Sequence, residues 1–261
     1  MSRFSAAVAE EAAQLLVTRR LAATPGAVLP EHLRPQTVEE ALQIQQAFAN
    51  LWCEQTDDSI GGWKCLQPSE DKLIIAPIFT STINSVAPVT AVTTAEKVRI
   101  EPELAFYIAK DLPARETPYT ASDVDAAIGR THLALELIHC RYAEPGTTTF
   151  ADNLADNLVN QGLFVGPEVD ATQAAKASTV NFAANANGQS IFAGEGRHPN
   201  LGPRLPLYWL AEFLRSRGEG LQAGQVIITG SYAGIWDIPT GSTLTVEYQG
   251  LGTLTVSFNA A

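Results

Sequence analysis

Residues 98–108 read VRIEPELAFYI, and the alternation marks a β-strand. Val98, Ile100, Pro102, Leu104, Phe106 and Ile108 fall on one face, with Arg99, Glu101, Glu103, Ala105 and Tyr107 on the other. Pro102 has no N–H to give to a ladder, which predicts an edge position or a bulge. Residues i and i+2 of a strand point the same way about 6.5–7 Å apart, so Glu101 and Glu103 direct two carboxylates toward common space. Such a pair is either a solvated face screened by Arg99 or part of a cation site.

A second run, HLALELIH at 132–139, places Leu133, Leu135 and Leu137 on one face and Ala134, Glu136 and Ile138 on the other. Both faces are mainly apolar, which predicts a buried strand with Glu136 inside it. A carboxylate there implies a basic partner such as Arg141, a metal, or a raised pKa. If Glu136 faces the same space as Glu101 and Glu103, three oxygen donors converge, and a hard cation, Mg2+ or Mn2+, is the natural neutraliser.

Outward from these strands, the chain from about residue 73 is β-rich, with short runs punctuated by Pro and Gly. PLYWLAEFLRSRGEGL predicts an amphipathic helix closed by Gly218, followed by the strand QVIIT and the loop GSYAG. STLTVEYQGLGTLTVSF alternates on both sides of QGLG and predicts a hairpin. Helical spacing of Val8, Ala12, Leu15 and Leu16 predicts one helix over about 5–22, and a second opens at Thr37 with Glu39 and Glu40 in its first turn. Three prolines in TPGAVLPEHLRPQ separate them. The expectation is an α+β fold in which residues 1–60 form a helical cap and residues 61–261 a β-rich mixed-sheet body, acting as one functional unit.

With 46% hydrophobic and 17% charged residues among 261, disorder is excluded, and no apolar run approaches the roughly 20 residues of a membrane helix. The amino terminus lacks the unbroken apolar centre of a secretory signal. Cys53, Cys65 and Cys140 are odd in number and form no CxxC pair, which predicts a reducing cytoplasm. A net charge of −11 without clustered Lys or Arg argues against nucleic acid as a partner. A bound cation would allow so acidic a protein to receive an anionic substrate.

The segments IEPELAFYIAKDLP, HLALELIHCRY and FADNLADNLVNQGLFVGP, in that order and spacing, resemble the fumarylacetoacetate hydrolase superfamily in its 2-oxopent-4-enoate hydratase and 4-oxalocrotonate decarboxylase branch. The likeness runs from TVEEALQIQQAF through GGWK to TGSYAG and the terminal hairpin. It implies a fumarylacetoacetate hydrolase-type body, Mg2+ or Mn2+ on Glu101, Glu103 and Glu136, a homo-oligomer, and a place in aromatic catabolism. It also sets Lys64 of GGWK at the substrate as a catalytic group, with Asp156 and Asn157 in a polar turn beside it. Read from the residues alone, Lys64 follows a Gly-Gly turn and is either a surface lysine or a cation orienting an acid. The ADNL repeat reads as turn and capping chemistry. Thr229 and Ser231, after a buried strand, either receive a substrate carboxylate or end the strand in a plain turn.

The resemblance implies hydration of a 2-hydroxy-2,4-dienoate such as 2-hydroxypenta-2,4-dienoate to a 4-hydroxy-2-oxo acid. Its alternatives are decarboxylation of a 2-oxo diacid, C–C hydrolysis of an acylpyruvate, and a non-catalytic oxo-acid binder. The chain departs from the usual hydratase after Lys64, where Cys65-Leu66-Gln67-Pro68 replaces Ile-Gly-Leu-Thr-Ser, and at APIF, which replaces an acidic Pro-Asp segment.

Overall fold

A computed structural model describes residues 4–69 and 72–261. Two helices open the chain, α1 (Ala6–Leu21) and α2 (Val38–Thr56). They are followed by β1 (Ile60–Cys65), β2 (Ile75–Phe79), β3 (Ile83–Asn84), β4 (Val89–Ala91), β5 (Lys97–Ile108), α3 (Ala121–Asp125) and β6 (Ile128–Ile138). Next come α4 (Phe150–Ala155), β7 (Asn160–Val169), α5 (Ala171–Lys176), β8 (Thr179–Ala186) and β9 (Gln189–Arg197). The chain closes with α6 (Leu205–Ser216), β10 (Val226–Ile228), β11 (Trp236–Pro239), β12 (Thr243–Tyr248) and β13 (Gly252–Ala260).

Local sequence sets the helix ends. Ser5 caps α1 through its side chain, and Thr37 with Glu40 forms a reciprocal capping box on α2. The buried stripe of α1 is Ala9, Ala12, Ala13, Leu16 and Val17, while Leu15 is exposed. Alanines let α1 approach α2 closely, so the stripe lies one position off the expected one. Arg20 at the end of α1 donates to the carbonyls of Asn160 and Gln161 and stacks over Trp52 and Phe79, fastening the helices to the start of β7. No helix among the described residues is long and apolar enough to cross a membrane.

The larger sheet runs β2-β1-β10-β5-β6-β7-β3, with β11 also on β5. β3 pairs with β7 in parallel, and β2 packs against β7, so the two ends of the sheet meet. The rolled sheet encloses Ile78, Ala105, Ala134, Leu163, Val165, Val226 and Ile228. A five-stranded sheet, β4-β13-β12-β8-β9, packs outside β6 and β7, where Tyr248 donates to the carbonyl of Ala134. The helices share one hydrophobic core with both sheets.

Three expectations are corrected. Pro102 lies in a central strand, β5, flanked by β6 on one side and by β10 and β11 on the other. It falls in the gap between the β10 register (105–107) and the β11 register (97–100). Tyr232 of the intervening loop donates to its carbonyl, so its missing N–H faces a position where no ladder partner is required. The β-rich region begins at residue 60, not 73, and Gly61-Gly62 is strand, not turn. A Cβ on Gly62 would lie 2.0 Å from the Val226 carbonyl oxygen, so glycine is what the parallel β1–β10 pairing requires. Residues 160–197 lie within the expected β-rich body and hold β7, β8 and β9 around the short α5.

Candidate metal centre

The register of β5 and β6 sets Glu101 directly opposite Glu136 and Glu103 opposite Ala134, all facing the inside of the rolled sheet. One carboxylate oxygen from each of Glu101, Glu103 and Glu136 lies within 4.8 Å of the others. Glu103 and Glu136 are buried and Glu101 is half-buried. From β1, Lys64 reaches across with Nζ 2.6 Å from Glu136 Oε1 and 3.3 Å from the Leu158 carbonyl. The basic partner of Glu136 is therefore Lys64, while Arg141 is taken by Asp156.

Asn160 was not singled out by sequence. Its amide donates to the same Glu136 Oε1 at 2.8 Å, which leaves Oε2 buried and without a partner. The backbone N–H of Gly230 donates to Glu103 Oε2 at 2.6 Å. Gly230 has φ +116, a conformation that favours glycine. An amide side chain beginning a strand otherwise buried on that face was the signal available for Asn160, parallel to that of Glu136.

The electrostatics follow from crowding in a buried place. Burial pushes the Glu101 carboxyl up to about 7, reinforced by Glu136. Burial followed by Glu136 and Glu101 raises Glu103 well above the carboxylate range. Burial opposes the charge on Lys64, yet the attraction of Glu136, Glu101 and Glu103 outweighs it and holds the ammonium above its ordinary pKa. One lysine does not neutralise three carboxylates. The unpartnered Glu136 Oε2, the oxygen-only donor set and its convergence together fit a hard divalent cation.

These groups open on a cavity of about 370 Å³ lined also by Cys65, Leu66, Ile74, Ile138, Leu158, Val159, Pro199, Gly230, Ser231, Gly234 and Ile235. Lys64 and Ser231 both line this cavity. Asp156 and Asn157 do not. Asp156 is fully buried, its carboxylate held by Arg141 Nε at 2.7 and 2.9 Å, and Asn157 is fully buried outside the lining. Thr229 is buried behind Gly230 and is likewise absent from the wall. What the LADN turn delivers is backbone: Asn157, Leu158 and Val159 all have positive φ (53, 49 and 58). That conformation is uncommon for non-glycine residues and costly for valine. It aims the Leu158 carbonyl at Lys64 and the Val159 carbonyl at the His139 N–H.

The fold is shared with solved structures. The 4-oxalocrotonate decarboxylase of Pseudomonas putida G7, complexed with magnesium and adipate, superposes with a TM-score of 0.79 at 22% identity, covering 96% of this chain and 97% of that one. The fumarylacetoacetate (FAA) hydrolase C-terminal family matches residues 59–259, and the chain belongs to that family. Among curated relatives, a 2-keto-4-pentenoate hydratase of Paraburkholderia xenovorans (strain LB400) is 23% identical over 258 residues, 96% of this chain and 95% of the relative. A 4-oxalocrotonate decarboxylase of Pseudomonas sp. is 28% identical over 163 residues, so the match spans 61% of this chain and about 60% of the relative's length. A 2-oxo-hept-4-ene-1,7-dioate hydratase of Escherichia coli is 31% identical over 169 residues, 61% of each chain.

Proposed function

We propose that this protein is a divalent-metal-dependent lyase that hydrates a small 2-hydroxy-2,4-dienoate, or its 2-oxo-4-enoate tautomer, to a 4-hydroxy-2-oxo acid. The observation that carries this reading is the convergence of Glu101, Glu103 and Glu136 with the Lys64 ammonium in one cavity. Kinship with hydratases and decarboxylases of such acids points the same way.

Glu101, Glu103 and Glu136 would hold Mg2+ or Mn2+, which when bound supplies Lewis acidity to the 2-oxygen beside a carboxylate. Asn160 and Lys64 fix Glu136 through Oε1, so that Oε2 is the oxygen presented. Lys64 Nζ is the proton carrier. It passes a proton to carbon 5 of the dienol and regains one from the 2-hydroxyl, leaving a conjugated ketone. Carbon 4 then takes the oxygen of water and carbon 3 a proton. Ser231 supplies a hydroxyl on the wall, and the apolar walls limit water to what the reaction consumes. Asp156, Asn157 and Thr229 act from behind that wall, shaping the turns that carry the Leu158 carbonyl and the Gly230 N–H. The helical cap and β-rich body work as one functional unit. Three free cysteines suit a reducing cytoplasm, and a homo-oligomer is the expected assembly.

The test is turnover of 2-hydroxypenta-2,4-dienoate with Mg2+, with Mn2+ and with chelator, products identified by mass. Metal-dependent gain of water is the expected result. Loss of carbon dioxide from a six-carbon 2-oxo diacid instead would make the protein a decarboxylase, and inertness toward both would overturn the lyase reading.

A further inference from the structure

We infer that the substrate is a monocarboxylate: beyond its 2-oxo acid head it carries a hydrocarbon tail and no second carboxylate. This rests on the metal-site reading above and concerns the rest of the same cavity. Besides the glutamates, the side chains lining the cavity are mainly apolar: Leu66, Ile74, Ile138, Leu158, Pro199 and Ile235. Lys64 is the one cation among the described residues that line it, and it is already engaged by Glu136 at 2.6 Å. Arg99, two residues before Glu101, lies outside the lining and is paired with Asp237 at 3.3 Å. Of the hydroxyl and thiol on the wall, Ser231 Oγ donates to the Gly234 carbonyl and the Cys65 thiol to that of Pro206.

Charge balance leads to the same conclusion. Three carboxylates, one ammonium and one divalent ion leave no net charge, so the substrate's first carboxylate already exceeds what the site neutralises. A second would meet apolar side chains with no further cation and no uncommitted hydroxyl or thiol, which disfavours its desolvation. The volume, about 370 Å³, lies in the range of pockets that bury ligands well beyond five carbons. The tail can therefore be extended by alkyl or aryl groups. The site thus differs in demand from that of a relative named for a 1,7-dioate.

The probes are oxalate, 2-oxohexanoate and 2-oxoadipate, titrated calorimetrically into the Mg2+-loaded protein. The two six-carbon acids differ only in ending as methyl or carboxylate. The expected result is that oxalate binds and 2-oxohexanoate binds at least about tenfold more tightly than 2-oxoadipate. Leu66→Arg, or Ile74→Lys should the first variant fold poorly, narrows or reverses that gap by giving the second carboxylate a partner. Oxalate binding together with 2-oxoadipate equal to or tighter than 2-oxohexanoate overturns the apolar-tail inference and leaves the metal site standing. Failure of oxalate and both oxo acids to bind overturns the metal-site reading, and the inference with it.

Discussion

At the scale of single residues, the site depends on which oxygen of Glu136 is occupied. Lys64 and Asn160 both bind Oε1, so either side chain constrains the orientation of Oε2. Asn160→Ala frees the carboxylate to rotate, and titration calorimetry with Mg2+ or Mn2+ should show affinity reduced about 10–100-fold, the usual scale for a residue that orients a metal ligand. Glu101→Gln and Glu136→Gln each remove a charged ligand at nearly constant shape, and turnover should vanish in both while circular dichroism stays native. Denaturant unfolding should separate them. Glu136→Gln removes the carboxylate that directly pairs the buried Lys64 ammonium and should lose about 3 kcal/mol, whereas half-buried Glu101 supports that charge without a direct ion pair and should cost less. All three glutamates were legible in sequence because strand parity fixes which way a side chain points and an apolar context marks burial, whereas Lys64, read locally after a Gly-Gly turn, was placed only by the family resemblance. Asp156 and Asn157 were misplaced for the converse reason. The LADN turn has no periodicity from which to read direction, and only tertiary packing turns its side chains into the core and its carbonyls toward Lys64.

At the scale of elements, β1 is the component least tolerant of change. Gly62 sits opposite Val226 in a parallel pair, and any Cβ there meets backbone, not a flexible side chain. Gly62→Ala should therefore displace β1 from β10, cost about 1–3 kcal/mol in chemical denaturation and raise KM or abolish turnover, because Lys64 rides on the same strand. Elements with a clear period were readable in advance: β5, β6, α6 and the β12–β13 hairpin all fall where alternation or helical spacing placed them. β1 was read as a turn because local propensity makes two glycines a turn signal. Here they answer a close approach by another strand, which only the fold supplies. Pro102 likewise pointed to an edge when judged locally, whereas the gap between β10 and β11 accommodates it in the centre of the sheet.

For the molecule as a whole, two buried histidines away from the glutamates weaken the fold in acid. Burial lowers both His139, beside Arg141 and Arg20, and His198 from 6.5 to about 4. Between those values the unfolded chain binds protons at these histidines that the folded one does not, so each withdraws stability as pH drops from about 6.5 to about 4, by about 3 kcal/mol. Glu101 and Glu103, raised by burial, act in the opposite direction over the same window, so the histidine contribution is read as a difference: the gap in urea midpoint between the native chain and His198→Gln should shift in favour of the variant as pH is lowered. The sheet order has a consequence of another kind. Lys64 and the Glu101–Glu103 strand are not neighbours in the ladder, because β10, residues 226–228, is the slat between them. A nascent chain emerging from the ribosome therefore holds the lysine and all three glutamates before the strand that sets them across one roll has been made, so the proposed cation site can be completed only late in synthesis. Until then the apolar strands that will line the roll have open flanks, which makes the period of synthesis, more than the finished state, the time when this protein needs chaperones.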